Sequence, residues 1–147
     1  MSEFKFPTEV VELPSKGLVY PTDHILRSGK VEMKYMTAKE EDILSNQNLI
    51  KKGIVLDKLL ESLTLGKFNI KDLVTGDKNA ILVASRVLGY GKDYSFDYNG
   101  EPQAVDLSTL ENKPLHAEIE KRKANEFEFV LPHFLSLNEK FDLYLHP

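Results

Sequence analysis

The sequence contains no cysteine and no tryptophan. The absence of cysteine excludes disulfides, thiol catalysis and thiolate metal sites from this chain, and it fits a protein made in a reducing cytoplasm. Long apolar runs are also missing. The longest comparable stretch, Ala80–Leu88, is interrupted by Ser85 and Arg86, whereas a membrane span needs roughly 18 apolar residues. The polar amino-terminal stretch has no signal-peptide core. We therefore expect no direct membrane insertion.

Positive charge is not in excess either, since the formal net charge is −4. Binding to nucleic acid relies on clustered lysine and arginine that neutralise phosphates, so we predict no nucleic-acid partner. The one basic cluster, Lys121–Lys123, is flanked by Glu118, Glu120 and Glu126, which is typical of a solvated end of an element. The 147 residues are 41% hydrophobic, enough to build the core of a single domain spanning 1–147.

Reactive groups with the spacing of a catalytic or metal site are likewise missing. The four histidines show no ligand spacing. The acids Glu40–Asp42 fall in the first turn of a predicted helix, where they favour the helix dipole. Gly89–Lys92 follows a helix and lacks the other residues of a phosphate-binding loop. We predict no catalytic residues, no metal ligands and no cofactor, and therefore no enzyme.

The pattern of the chain predicts an α+β fold in which strand-rich ends flank a central helical segment of three to four helices. Strands are predicted at Glu9–Leu13 and Lys30–Tyr35 within the amino-terminal part, residues 1–36, with extended structure resuming at 18–20. Val31, Met33 and Tyr35 alternate with charged residues, as in a half-buried strand.

The helical middle, residues 37–90, begins with a capping box at Thr37–Glu40, which predicts a helix over 38–48. A broad apolar stripe predicts a second helix over 54–63, and Asn69 is expected to cap a short turn. The most apolar helix is expected over 78–88, at the centre of the core, with Asp77 as N-cap and Gly89 just past its end.

The carboxy-terminal part, residues 91–147, is predicted to be β again. Tyr94, Phe96 and Tyr98 precede Asn99–Gly100, a strong hairpin signal, with a return strand over 103–107. The three rings suit either a stacking platform for single-stranded nucleic acid or the core of the hairpin. The lack of interleaved basic residues favours the hairpin core. Further strands are predicted at 115–119 and 126–131, and a last hairpin pairs 135–137 with 141–145.

Three stretches resemble one known family in order and spacing. The first block, Leu13–Pro21, has the sequence LPSKGLVYP. The second block starts at Gly29, and its distinctive part, Met36–Leu44, has the sequence MTAKEEDIL. The third block, Asp72–Tyr94, begins with DLVTGDKNAIL. Together with Phe6–Thr8, they resemble the baseplate hub and hub-assembly proteins of T-even-type phages with contractile tails. The resemblance extends over residues 6–107.

The resemblance implies a non-enzymatic protein that promotes or forms the central baseplate hub through protein–protein contacts. Its partners would be other baseplate hub proteins or further copies of this chain. It would act in the host cytoplasm during assembly, or reside in the virion. An alternative from another class is a small phage-encoded binding module acting on a host protein.

The chain departs from the family's pattern in two places. Some relatives carry cysteine pairs in the hairpin after Tyr94, resembling a small zinc ribbon, whereas this chain has none there. Residues 133–147 match the family poorly, which indicates a variant or truncated end.

Two segments have the apolar surplus expected of a partner-binding surface. One is the second predicted helix and the other is the terminal hairpin. Deletion of residues 133–147 is predicted to weaken association with hub proteins without unfolding the domain. The candidate residues are Ile54, Leu56, Leu59, Leu63, Leu135, Leu137, Phe141 and Leu143.

Overall fold

The computed structural model describes residues 7–124, 126–130 and 142–145, with the backbone alone for 127–130 and 142–145. The fold is α+β, and its elements follow the predicted order of strands, helices and strands. The helices are α1 (Ala38–Ser45), α2 (Gln47–Lys51), α3 (Val55–Leu63), α4 (Thr75–Tyr90) and α5 (Ala117–Arg122). The strands are β1 (Thr8–Glu12), β2 (Lys30–Lys34), β3 (Asp93–Tyr98), β4 (Glu101–Asp106), β5 (Phe127–Val130) and β6 (Asp142–Leu145).

The strands pair as three separate antiparallel ribbons, β1–β2, β3–β4 and β5–β6. In the first ribbon, Val11 lies opposite Val31 and Glu9 lies opposite Met33. Val31 and Met33 are buried, which confirms the alternation predicted for β2. Tyr35 was expected on the same buried face, but it lies beyond β2 and is exposed, with its hydroxyl donating to Glu9.

In the loop that joins β1 to β2, the backbone around Gly17 lies in direct contact with the backbone of residues 27–29. Gly17 and Gly29 both have positive φ, 76° and 72°. A Cβ atom on Gly17 would lie only 2.3 Å from the carbonyl oxygen of Arg27, so no larger residue fits there. The prediction of extended structure at 18–20 is wrong, because these residues form turns within this tightly packed loop.

The middle segment contains four α-helices, within the predicted three to four, but the first predicted helix is divided into two. The capping box at Thr37 is confirmed, but α1 ends at Ser45 and not at Asn48. Asn46 ends it early, because its side chain accepts the backbone N–H groups of Asn48 and Leu49 and so begins α2. The turn capped by Asn69 is confirmed, as its side chain accepts from the backbone of Lys71.

Helix α4 is longer than predicted and packs through one face. Its buried positions, Asp77, Ile81 and Ser85, recur every four residues, whereas Val83 on another face is exposed. The expectation that this helix is central to the core is therefore wrong. Gly89 was predicted just past the end of the helix, but it lies inside α4. A Cβ atom there would meet Met36 Sδ at 2.7 Å.

One apolar core connects the β1–β2 ribbon, its loop, α3 and α4. All of its fully buried members lie between residues 13 and 81, which we call the core segment. They are Leu13, Tyr20, Leu26, Val31, Met33, Leu59, Leu60, Leu63, Ile70, Leu73 and Ile81. The fold is therefore organised around the amino-terminal and helical parts of the chain.

The last third agrees with the sequence at the first hairpin and differs after it. Asn99 and Gly100 both have positive φ, 52° and 81°, so the predicted turn between β3 and β4 is confirmed. The strand predicted at 115–119 is wrong, because α5 lies there. His116 caps this helix by accepting the backbone N–H of Glu118, and its acidic first turn and basic last turn suit the helix dipole.

Strand β5 confirms the strand predicted at 126–131. Its partner is β6, with Phe127 opposite Leu145. The hairpin predicted between 135–137 and 141–145 involves residues 131–141, which lie outside the described residues. The prediction of a single domain over 1–147 stays a prediction.

Candidate interaction surfaces

The partner-binding residues predicted on α3 divide between core and surface. Leu59 and Leu63 are buried in the core, so their assignment to a partner surface is corrected. They face inward because α3 places them three to four residues apart, on the side that packs against α1 and α4. Leu56 is exposed and Ile54 is half-buried, so these two remain accessible.

The partner-binding residues predicted at the carboxy terminus are described only in part. Leu143 lies in β6, where its backbone pairs with Phe129 of β5. Leu135, Leu137 and Phe141 lie outside the described residues. The edge pairing predicted for this segment therefore stays a prediction.

A buried carboxylate joins two of the sequence blocks described above. Asp77, in the first turn of α4, is fully buried. Its carboxylate accepts the backbone N–H of Ser15 at 3.0 Å, the Ser15 hydroxyl at 2.5 Å and the Tyr20 hydroxyl at 2.6 Å. We call Ser15, Tyr20 and Asp77 the Asp77 cluster. It connects the loop after β1 to a helix about sixty residues later in the sequence.

The electrostatics of the Asp77 cluster favour one fixed arrangement. Burial raises the pKa of Tyr20 well above its ordinary value of 10.0, and the hydrogen bond to Asp77 raises it further. The phenol therefore stays protonated and donates a hydrogen bond to Asp77. Its oxygen also accepts a hydrogen bond from the backbone N–H of Val74 at 3.2 Å. Because Ser15 is also buried, the cluster is closed to a substrate and acts as a structural connection.

A second buried carboxylate organises the entry to α1. Glu40 is fully buried and accepts from Lys34 Nζ and Ser62 Oγ, each at 2.5 Å, and from Thr37 N at 2.8 Å. We call these four residues the Glu40 cluster. Burial raises the pKa of Glu40, but the hydrogen bonds from Lys34, Ser62 and Thr37 outweigh it and lower the pKa to about 2.

The capping box signalled part of the Glu40 cluster, but not its partners Lys34 and Ser62. Lys34 was predicted on the solvent-facing side of β2, yet its side chain is only 4% exposed. The cluster therefore connects β2, α1 and α3 through one carboxylate. Such a fully hydrogen-bonded ion pair specifies how the elements meet more than it adds to stability.

Chemistry beyond these clusters is sparse in the part of the chain that the structure describes. No group of three or more acidic or histidine side chains within it is arranged to hold a metal ion. His24 lies 3.3 Å from Asp72 on the surface. None of the helices among the described residues has both the length and the apolar character that a membrane span requires.

An apolar groove of about 590 Å³ runs between β1 and α4, and we call it the β1–α4 groove. The loop after β4 forms its third wall. The residues that line it are Glu9, Val10, Val11, Glu12, Gly76, Asn79, Ala80, Val83, Ala84, Val87, Leu88, Leu107, Leu110, Glu111 and Asn112. The sequence pattern alone does not predict this groove. The small apolar residues of α4 that line it have the spacing of a buried helix, and the same spacing predicts a core position for them.

The β3–β4 hairpin presents an exposed aromatic face. Tyr94, Phe96 and Tyr98 are 43%, 38% and 63% exposed, so their prediction as a hairpin core is wrong. They share one face of the ribbon, but within the described residues no element covers it. Tyr94 and Phe96 stack with their ring centroids 5.7 Å apart. The guanidinium of Arg86 lies 5.6 Å from the Tyr94 centroid, which secures the base of the hairpin to α4.

Comparison with known proteins adds no assignment: no family model, no curated protein and no solved structure matches this chain.

Proposed function

We propose that this protein promotes the assembly of the central baseplate hub of a contractile phage tail, or forms part of it, through protein–protein contacts and without catalysis. The observation that carries the proposal is the ordered set of three sequence blocks over residues 6–107 that resembles the hub family.

The side chains within these blocks support the proposal through the roles they have in this chain. Ser15 and Tyr20 belong to the first block and bind Asp77 of the third. Glu40, in the second block, connects β2 to α1 and α3. The blocks that carry the sequence resemblance thus include buried residues that connect the elements of this fold.

The described surface supports an assembly role as well. The β1–α4 groove and the aromatic face of the β3–β4 hairpin both leave apolar side chains in contact with solvent. Contiguous apolar surface on a small protein is typical of sites that bind another protein. Meanwhile, Asp77 and Glu40, which each accept hydrogen bonds from two hydroxyl groups, are buried.

The test is purification of the tagged protein from phage-infected cells before lysis, followed by mass spectrometry. We expect baseplate hub proteins to be enriched over a tagged late protein of similar size from the same phage. Mass spectrometry of purified virions then separates a hub component, present in the particle, from an assembly factor, absent from it. Enrichment of a single host enzyme without hub proteins would contradict the proposal and favour the host-directed binding module.

A further inference from the structure

The β1–β2 ribbon has one open edge whose hydrogen-bonding groups can be identified. Leu13 N–H donates to Gly29 O at 2.8 Å, and Tyr35 N–H donates to Pro7 O at 3.4 Å. Odd-numbered positions of β1 therefore face β2, because the two sides of a strand alternate. Among the described residues, β1 pairs with β2 alone. The backbone groups that point to the open edge belong to Thr8, Val10 and Glu12.

This open edge faces the β1–α4 groove from Glu9 to Glu12. Four consecutive residues, 9–12, line the groove, which is the pattern of a strand seen from its edge and not from one of its faces. The opposite wall extends along α4 from Gly76 to Leu88, a rise of about 18 Å. A five-residue strand covers about 17 Å, so the groove has the length of one further strand.

The wall formed by α4 has room for the side chains of such a strand. Ala80 and Ala84 are one turn apart, and Val83 and Val87 continue the same stripe. Small side chains at these positions leave the groove open, and Val83 is 36% exposed. An added strand would direct every second side chain onto this apolar wall.

The charged residues that line the groove in the described part of the chain have one sign. They are three glutamates, Glu9, Glu12 and Glu111, and none of the described lining residues is lysine, arginine or histidine. Among the described residues, the cation that pairs with them is Lys30, whose Nζ lies 3.6 Å from Glu12 with both side chains largely exposed. Such an exposed pair is weak, so the rim retains a negative potential.

We propose that the open edge of β1 binds an extended segment of a partner protein by strand addition. The segment carries apolar side chains at alternate positions, which pack on α4, and lysine or arginine between them, which meets the acidic rim. This site is distinct from the predicted carboxy-terminal edge. The site does not depend on whether the partner belongs to a baseplate, because the shape and charge of the groove alone define it.

A second copy of this chain fits the edge less well than a basic segment. Pairing of two β1 edges would place the acidic rims of both copies, each with Glu9 and Glu12, within one short ribbon. Like charges on neighbouring strands are destabilising. The acidic rim thus selects against self-pairing while it attracts a cationic strand.

The test uses the full-length protein, isotope-labelled for NMR, and a heptapeptide of alternating valine and lysine as the probe. We expect the peptide to shift the amide signals of Thr8, Val10 and Glu12 and to slow their hydrogen exchange. A heptapeptide of alternating valine and glutamate serves as the control and is expected not to bind.

Two variants test the mechanism. Val10→Pro removes an N–H group that points to the open edge and breaks no bond to β2, so the fold is retained while peptide binding weakens about fivefold or more. Val10→Thr keeps that N–H and is expected to bind within about twofold of the original protein. Should Val10→Pro fail to fold, Glu12→Lys tests the charge instead, with binding of the lysine peptide expected to fall about threefold.

Three results would overturn the proposal. One is equal binding of the lysine and glutamate peptides. Another is undiminished lysine-peptide binding by a folded Val10→Pro, or by Glu12→Lys where the proline variant does not fold. The third is concentration-dependent change of the β1 amides without peptide, since this would make a second copy the occupant of the edge.

Discussion

The core segment and the β3–β4 hairpin distribute polar and apolar side chains in opposite ways. In the core segment, two carboxylates, Asp77 and Glu40, are fully buried. In the hairpin, all six residues of β3 are exposed, including three aromatic ones. Buried charge and exposed aromatic surface are the informative exceptions to the usual partition of a protein. The difference indicates that the first region specifies the fold and the second is available for contact.

The free-energy costs of burying a carboxylate and of exposing an aromatic ring explain why the two regions differ. A buried carboxylate is tolerated only when hydrogen bonds replace its lost hydration, so each one requires particular partners at particular places. An exposed ring requires no partner within the fold, and it gains its apolar free energy only when another surface covers it.

The largest expected effect comes from removing the buried carboxylate of Asp77. Asp77→Ala leaves the Ser15 hydroxyl, the Ser15 N–H and the Tyr20 hydroxyl without their acceptor. Several buried unsatisfied donors cost about 3 kcal/mol or more of unfolding free energy. Urea denaturation followed by circular dichroism measures this loss.

The matched control is Asp97→Ala in the hairpin, where the carboxylate is exposed. We expect its unfolding free energy to stay within about 0.5 kcal/mol of the original. Equal losses in the two variants would remove the distinction between the core segment and the hairpin.

The next effect is a pH dependence that originates in Glu40. Its folded-state pKa of about 2 lies below the ordinary 4.5, so the folded state binds fewer protons than the unfolded state between these values. The resulting stability, about 3 kcal/mol, is fully present above pH 4.5 and is lost as the pH falls through about 2. Urea midpoints measured across this range should fall more steeply for the original protein than for Lys34→Met with Glu40→Gln, which lacks both charges.

Asp106 of the hairpin gives a contrasting carboxylate with a similar pKa. Its hydrogen bond with Lys92 lowers the pKa to about 2, with further bonds from Ser108. Because solvent reaches both side chains of this ion pair, which are 56% and 32% exposed, it screens the interaction. We therefore expect Asp106→Asn to leave the acid dependence of unfolding nearly unchanged. A change as large as that of the Glu40 variant would mean that the hairpin unfolds together with the core segment.

A smaller difference in unfolding free energy is expected between alanine variants of Gly17, where a Cβ atom would clash, and Gly100, where it would not. Gly17 and Gly100 both have positive φ, but only Gly17 lacks space for a Cβ atom, which would meet Arg27 O at 2.3 Å. Both alanine variants carry the backbone strain of positive φ. Gly17→Ala also carries the clash, so we expect it to unfold at a free energy about 2 kcal/mol lower than Gly100→Ala. Similar values would indicate that the loop relaxes around the added methyl group.

The sequence predicts features whose partners lie close along the chain. The capping box of Thr37 and Glu40 and the turn at Asn99–Gly100 involve residues within a few positions of each other, and both are confirmed. The strands β1 and β2 were also found, because an alternating pattern is a local property.

Features decided by distant contacts were not predictable in this way. Asp77 is predicted as an N-cap, but it lies in the first turn of α4, whose N-cap is Val74. Its contact with Ser15, 62 residues earlier, makes it a buried acceptor instead. The exposure of Val83 and Phe96 depends on which element covers which face, and a periodicity alone does not determine that. For the same reason, the β1–α4 groove could be found only once the strand and the helix were placed side by side.

The smallest expected effect is also the sharpest test of the exposed face. Tyr98 is 63% exposed, so replacing it with serine removes little buried apolar area. We expect the unfolding free energy of Tyr98→Ser to change by no more than about 0.5 kcal/mol, whereas Tyr20→Ser, at a tyrosine that is 5% exposed, should cost several times more. Thermal unfolding of both variants measures the difference. A loss near that of Tyr20→Ser would show that the Tyr98 ring is packed in solution, and the hairpin would then belong with the core segment.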